Sequence, residues 1–199
     1  MIARPRLLAI ALCACLSACG SLSSPPRDHF YRLQPIAPSP GAEQSYPDVL
    51  YIPPFEASGL HSERALVYAH ADDTTLEQHG YHFWIDSPRL MLQSALADSL
   101  RDRLEMRIVT QPAATAHVVR GRIIRFERQV RSSGGHAAAV ALHFDAFDGE
   151  SRVPVMSRGY SEVEDLADDG METYAVATSR AVGRVLERLT VDLEHLWQP

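Results

Sequence analysis

The stretch from His117 to Val163 alternates apolar and polar residues through two glycine-bearing turns, and no other segment constrains the fold as tightly. Val119, Gly121 and Ile123 alternate with Arg120 and Arg122, the period of two that gives a strand one apolar and one polar face. The apolar phase then shifts by one residue, to Ile124 and Phe126, as a β-bulge would shift it. Ser132-Ser133-Gly134-Gly135 supplies a turn, and Ala138, Val140, Leu142 and Phe144 alternate back. Asp148-Gly149 turns the chain again into Val153 to Val163. The pattern predicts a three-stranded antiparallel meander.

A sheet with one apolar face needs a second layer to cover it. Two segments have the period to do so. Ser87-Pro88 reads as a helix start, with proline at the first helical position, where its missing N–H costs no bond. Leu92, Leu96, Leu100 and Leu104 then recur every four residues with Ala95 between them, opposite Gln93, Asp98, Arg101 and Asp102. Near the C-terminus Asp169 and Glu172 resemble a capping box. Behind them Tyr174, Ala177, Ala181, Val185, Leu189, Leu193 and Leu196 mark one face of a long helix. The remaining strands read as His29 to Leu33, Asp48 to Phe55, Ala65 to Ala69 and Leu76 to Ile85. A proline-rich loop at Pro35 to Pro47, a turn at Asp72-Asp73-Thr74-Thr75 and a break at Gln111-Pro112 separate them. The expected fold class is α+β: a largely antiparallel mixed sheet packed by two long amphipathic helices in a two-layer sandwich.

The N-terminus adds a location. Arg4 and Arg6 precede the apolar run Leu7 to Leu16, and Ser17-Ala18 offers the small residues of a cleavage site. The run is shorter than the roughly 20 apolar residues that span a bilayer. Leu16-Ser17-Ala18-Cys19 matches the lipobox of bacterial lipoproteins, in which the Cys19 thiol receives a diacylglycerol and the new N-terminus an acyl chain. The expected organisation is therefore a signal peptide over 1–18, a lipidated tether over 19–27 and one domain over 28–199. Cys13 and Cys15 leave with the signal and Cys19 is consumed as a thioether, so no thiol remains for a disulfide or a metal. Several acyl chains hold a protein to a membrane essentially permanently. Gly20, where an Asp would favour inner-membrane retention, points to the outer membrane, with the domain facing the periplasm. The whole chain carries a net charge of −6, and loss of Arg4 and Arg6 makes the mature part more acidic. That balance argues against a nucleic-acid partner and against broad electrostatic adhesion to anionic lipid.

No catalytic constellation emerges. The spacing of His79 and His82 would put them on opposite faces of a strand, which does not suit one metal ion. There is no nucleophile elbow, no lysine to activate a serine and no phosphate loop. Glu162, Glu164, Asp165, Asp168 and Asp169 read as a solvated acidic loop before a helix N-terminus. Arg120, Arg122, Arg125, Arg128 and Arg131 would either meet lipid headgroups or an acidic partner, or line the exposed side of an edge strand, and the second reading is the simpler. No metal and no cofactor is expected beyond the covalent lipid on Cys19.

Tyr31-Arg32-Leu33, Ile52-Pro53-Pro54-Phe55, Gly59-Leu60, Arg64-Ala65-Leu66-Val67-Tyr68 and Trp84-Ile85-Asp86-Ser87-Pro88, followed by Leu92, Leu96 and Leu100, stand in an order and spacing that resemble the ABC-type transport auxiliary lipoproteins of the paraquat-inducible-protein C type. The resemblance runs over residues 29 to 195. Tyr81-His82-Phe83-Trp84 departs from it, since a more polar approach with Arg before the tryptophan is expected. What the resemblance implies is a non-catalytic lipoprotein. Its partners would be an ABC ATPase, a permease and an MCE-domain protein, which together move lipids or other hydrophobic molecules across the envelope. It also implies docking of the MCE assembly at the outer membrane and formation of a homo-oligomer. A structural or assembly lipoprotein that docks on an outer-membrane barrel or a cell-wall machine is the alternative.

Overall fold

The computed structural model describes residues 26–34, 49–70, 74–104, 107–109, 111–112, 116–149 and 153–197. Along the chain run β1 (His29–Tyr31), β2 (Val49–Tyr51), a 3-10 turn (Gly59–Ser62), β3 (Ala65–Ala69), β4 (Leu76–Trp84) and α1 (Pro88–Leu104). Then come β5 (Arg107–Val109), β6 (His117–Val130), β7 (His136–Phe147), β8 (Met156–Asp165) and α2 (Met171–Trp197). The eight strands form one mixed sheet. Buried side chains of both helices and of the strands join in a single core. The chain is α+β, as the periodicity predicts.

The meander is present. Strand β6 pairs antiparallel with β7 from Val118 to Val130, and β7 pairs antiparallel with β8. Gly134 and Gly135 both take positive φ in the first turn, a backbone region open to glycine at little cost. The register slips between Ile123 and Arg125, so the predicted bulge exists. Its consequence differs in one residue: Ile124 is the extra residue and is exposed, while Phe126 resumes the buried phase after Ile123.

The other edge of β6 is shared in sequence by three short segments, all parallel to it. Leu50 and Tyr51 of β2 pair with His117 and Val118, Glu56 bridges to Arg122, and Tyr68 and Ala69 of β3 pair with Arg128 and Gln129. Strand β3 then carries β4 antiparallel, β4 carries β1 parallel, and β2 carries β5 parallel. These parallel joints give no local signal, and the three residues of β5 are too few to show a period. The antiparallel pairs nevertheless account for most of the ladder.

The expected strand from Asp48 to Phe55 is shorter in the structure; Asp48 itself lies outside the described residues. Pairing stops at Tyr51 because Pro53 and Pro54 have no N–H to give to a ladder. Side chains of α1 satisfy the carbonyls that follow: Gln93 Nε2 donates to the Ile52 carbonyl at 2.7 Å and Arg89 Nε to the Phe55 carbonyl at 2.6 Å. The first helix starts as predicted, with the Ser87 carbonyl accepting from the amides of Leu90 and Met91. The capping box is corrected. Tyr174 N–H bonds to the Gly170 carbonyl, and it is Asp168, not Asp169, whose carboxylate accepts from the Gly170 amide at 2.8 Å. The leucines of α1 and the apolar face of α2 are buried. One turn apart on both helices, Ser99 meets Thr190 at 3.4 Å and Arg103 grips Glu194 through two bonds of 2.6 and 2.8 Å.

Phe55 lies flat over the backbone of Gly121 and meets Phe144 edge-on at 5.6 Å. A Cβ at Gly121 would stand 2.5 Å from the Phe55 ring, and the Glu56 amide is bonded to the Gly121 carbonyl at 2.8 Å. The residue behind β2 can reach the sheet only because position 121 has no side chain. Gly121→Ala is therefore expected to destabilise the fold by about 1–3 kcal/mol through overpacking, read as a lowered midpoint in urea unfolding, and Phe55→Leu combined with it should restore part of the loss.

Candidate functional site

Cys19 and the signal lie outside the described residues, so the site is built from the point at which the chain joins the domain. Pro26, Arg27 and Asp28 are exposed and lead into β1. Three register pairs hold that strand to β4: His29 with His82, Phe30 with Phe83 and Tyr31 with Trp84. Ile85 N–H extends the ladder to the Tyr31 carbonyl at 2.8 Å, and Gln34 N–H reaches Ser179 Oγ of α2 at 3.0 Å. Arg64 ties the neighbouring turn down. Its backbone carbonyl accepts from Trp84 N–H at 2.7 Å, and its guanidinium donates to the carbonyls of Trp84 at 3.3 Å and Ile85 at 3.0 Å.

Toward the helices this junction is aromatic and polar at once. Trp84 is fully buried between Phe126, at 5.3 Å, and Tyr174 of α2, at 6.0 Å. Beside it His82 stacks on His29 at 5.1 Å and on Tyr31 at 5.8 Å, with the Tyr31 hydroxyl 2.9 Å from His82 Nδ1. His79 packs against Tyr68 at 4.5 Å and edge-on to His82 at 6.2 Å. The expectation that His79 and His82 point to opposite faces is overturned. Between the pairs Ala65–Phe83 and Val67–Gln78, β3 advances two residues while β4 advances five. Tyr81 within that bulge has φ 62°, a left-handed backbone that a bulky residue rarely adopts, so strict alternation fails and the two imidazoles come together. Among the described residues no three His, Cys, Asp or Glu groups converge on a position that could hold a metal ion.

The junction disfavours positive charge. His79 Nε2, Trp84 Nε1 and Arg128 Nε are buried without a protein partner. Burial, then the Arg128 guanidinium and the neighbouring His82 and His136, push His79 down to about 4. Burial and His29 lower His82, and burial and Arg128 lower His136 against the opposing pull of Asp169.

The arginine run does not line an edge. Strand β6 is paired along both sides, and its four arginines, like Arg131 just beyond it, each have an engagement of their own. Arg120 lies 4.8 Å from the Phe147 ring, Arg122 pairs with Glu56 and Arg131 with Asp165. Arg125 and His61 both meet Glu127, which is almost wholly buried. Burial raises Glu127, but the hydrogen bonds from His61 and Arg125 outweigh it and the carboxyl is held below its ordinary value. Arg128, also buried, donates to the Asp169 carbonyl at 2.9 Å. The acidic cluster is corrected as well: Glu162, Glu164 and Asp165 belong to β8. Glu162 pairs with Arg184 and Arg188, Glu164 with Arg180 and Arg184. Arg158 and the Tyr160 hydroxyl both bind Asp192 of α2. These ions fasten the second helix to the last strand. Spacing along one chain does not show such pairs, because each joins residues sixteen or more apart.

The histidine junction has a pH dependence whose sign is fixed. His79 holds a proton less readily when folded than at the ordinary value of 6.5, so the unfolded chain binds more protons between those values and stability rises with pH there. Stability is expected to be complete above about pH 6.5 and to fall as the pH drops toward about 4. In chemical unfolding measured across that range, His79→Gln should remove up to one proton's worth of the slope while leaving stability above pH 7 little changed.

The sequence matches the family model of the ABC-type transport auxiliary lipoprotein component over residues 31–190. No curated protein sequence matches the chain. Among solved structures it is similar to a Xanthomonas campestris protein of family-model DUF330, with 14% identity and a TM-score of 0.72, over 81% of this chain and 92% of that one. It is also similar to an uncharacterized protein, with 11% identity and a TM-score of 0.68, over 84% of this chain and 99% of that one. At such identities the two structures establish a shared fold and nothing about activity. The family match spans the domain from β1 to the last turns of α2, and on that ground the chain belongs to the ABC-type transport auxiliary lipoprotein component family.

Proposed function

We propose that this protein is a non-catalytic lipoprotein, anchored to the periplasmic face of the outer membrane through Cys19, that serves as the docking component of an ABC transport system with an MCE-domain partner. In this reading the system moves lipids or other hydrophobic molecules across the envelope. The observation that carries the proposal is the family match over nearly the whole domain, together with Leu16-Ser17-Ala18-Cys19 ahead of it. Among the described residues the titratable groups named above are engaged in ion pairs or packed among aromatics. No helix among them is long and apolar enough to cross a membrane, so in this reading the acyl chains supply the attachment. Gly20 supports sorting to the outer membrane. Self-association belongs to the same reading, since multivalent docking raises avidity without new contacts.

Cys19→Ser is expected to abolish labelling by radioactive palmitate and to release the chain from the membrane fraction, and sucrose-density separation should place the unaltered protein with the outer membrane. Affinity capture of the tagged protein is expected to recover an MCE-domain protein with its ATPase and permease. Recovery of barrel-assembly or cell-wall components with no MCE-domain protein would instead establish the structural-lipoprotein alternative.

A further inference from the structure

On the side of the β1–β4 junction away from Trp84 the structure presents an apolar surface to which the proposed function gives no task. Phe30 and Phe83 are register partners whose rings sit 5.9 Å apart. They face away from Trp84, because successive residues of a strand alternate sides, and Ile85 follows Phe83 on the same side. Phe30 is 56% exposed and Ile85 46%, although aromatic and β-branched side chains of this size ordinarily bury most of their area. The Arg64 guanidinium stands 5.6 Å from the Phe30 ring. Asp28, Glu63 and Gln78 complete the rim of a shallow groove of about 410 Å³ against the two phenylalanines. Arg27 and Arg32 are exposed on either side of β1.

The position of this surface along the chain selects its occupant. Phe30 lies eleven positions after Cys19, and even fully extended that length of chain reaches about 40 Å at most. Phe30 is thus nearer along the chain to the acylated residue than any other exposed large apolar side chain of the described domain. An acylated Cys19 holds this edge of the sheet close to the bilayer. Aromatic and aliphatic side chains with a mixed polar rim, Arg64 beside Asp28 and Glu63, and exposed Arg27 and Arg32 near it along the chain, suit the boundary between headgroups and acyl chains, where apolar faces bury about 5–10 Å deep.

We infer that Phe30, Phe83 and Ile85 form a membrane-contact surface that seats the domain on the leaflet carrying its own lipid anchor, with Arg27, Arg32 and Arg64 at headgroup level. The inference rests on the proposed acylation of Cys19 and goes beyond it: the anchor alone permits any orientation, whereas this surface fixes one. It turns β1 toward the lipid and leaves the ion-paired helical layer facing the periplasm. Because the chain as a whole is acidic, apolar insertion rather than net charge is the source of the contact.

The test uses the mature acylated protein in vesicles of phosphatidylethanolamine and phosphatidylglycerol. With Cys19 blocked by its lipid, Phe30→Cys, Ile85→Cys and, on the opposite layer, Ser94→Cys each offer one thiol for an environment-sensitive dye. Blue-shifted emission and strong quenching by doxyl-labelled lipid are expected at positions 30 and 85 and not at 94. Phe83→Ser should reduce the quenching at position 85 while thermal melting confirms that the chain remains folded. Mass spectrometry of the N-terminal peptide separates the two readings. An acylated protein with water-like emission at both 30 and 85 overturns the membrane surface and leaves the anchor standing. An unacylated Cys19 overturns the anchor and this surface with it. Emission that shifts only after addition of solubilised MCE-domain complex makes the surface a protein-docking face and overturns the inference.

Discussion

Strand β6 presents backbone donors and acceptors along both of its edges, and buried groups of this kind cost free energy unless they are paired. Strand β7 satisfies one edge in a long antiparallel ladder with a bulge at Ile124. The other edge is satisfied piecemeal by β2, Glu56 and β3. Those attachments decide where each half of the N-terminal region sits, because β5 hangs from β2 and β4 with β1 hangs from β3. The absence of a side chain at Gly121 admits Phe55 at the middle attachment. From there the Phe55 and Ile52 carbonyls reach the first turns of α1, so one close approach couples the sheet to the helical layer.

The polar contacts divide into two kinds of work. Those on β8 and α2 lie at the rim of the core and fix the position of the second helix by ion pairs that remain partly solvated, such as Arg184 with Glu162 and Glu164. Exposed pairs of this type each add little to stability, and their value here is in register between strand and helix. The second kind lies at the β1–β4 junction, where histidines, Arg128 and Trp84 are partly or wholly removed from water. That junction is the first described structure after the segment bearing Cys19, and there β1 is held by three ladder pairs amid titratable neighbours.

Several features were legible because they repeat locally. The alternation through Val119, Ile123, Val140 and Phe144 and the four-residue leucine stripe of α1 each report a period within a few turns of chain. The order of Tyr31, Phe55, Arg64, Trp84 and Pro88 pointed to the family. The structure gives these residues physical tasks: Phe55 on Gly121, Arg64 on the carbonyls of Trp84 and Ile85, Trp84 in the core. Features that depend on irregular backbone were misread. His79 and His82 meet because Tyr81 leaves the strand conformation, and the carboxylate that accepts ahead of the last helix is that of Asp168, bonded to the Gly170 amide.

By itself the sequence determined the composition of the layers, a meander covered by two amphipathic helices, since burial of an apolar face depends only on its period. It also determined family membership and the lipobox with its single cysteine, both of which are written in residue order. Tertiary structure alone decided what the charged and aromatic residues do. The five arginines from Arg120 to Arg131 look alike along the chain, yet one is buried, others close ion pairs and one stacks on Phe147. Apart from Glu127, two residues from Arg125, the partners named for them come from distant segments, and the electrostatic environment of a side chain is set by what packs around it in space. The same holds for Phe30, Phe83 and Ile85. They become one surface only when β1 returns to lie parallel to β4, a pairing between residues about fifty apart that no local pattern encodes.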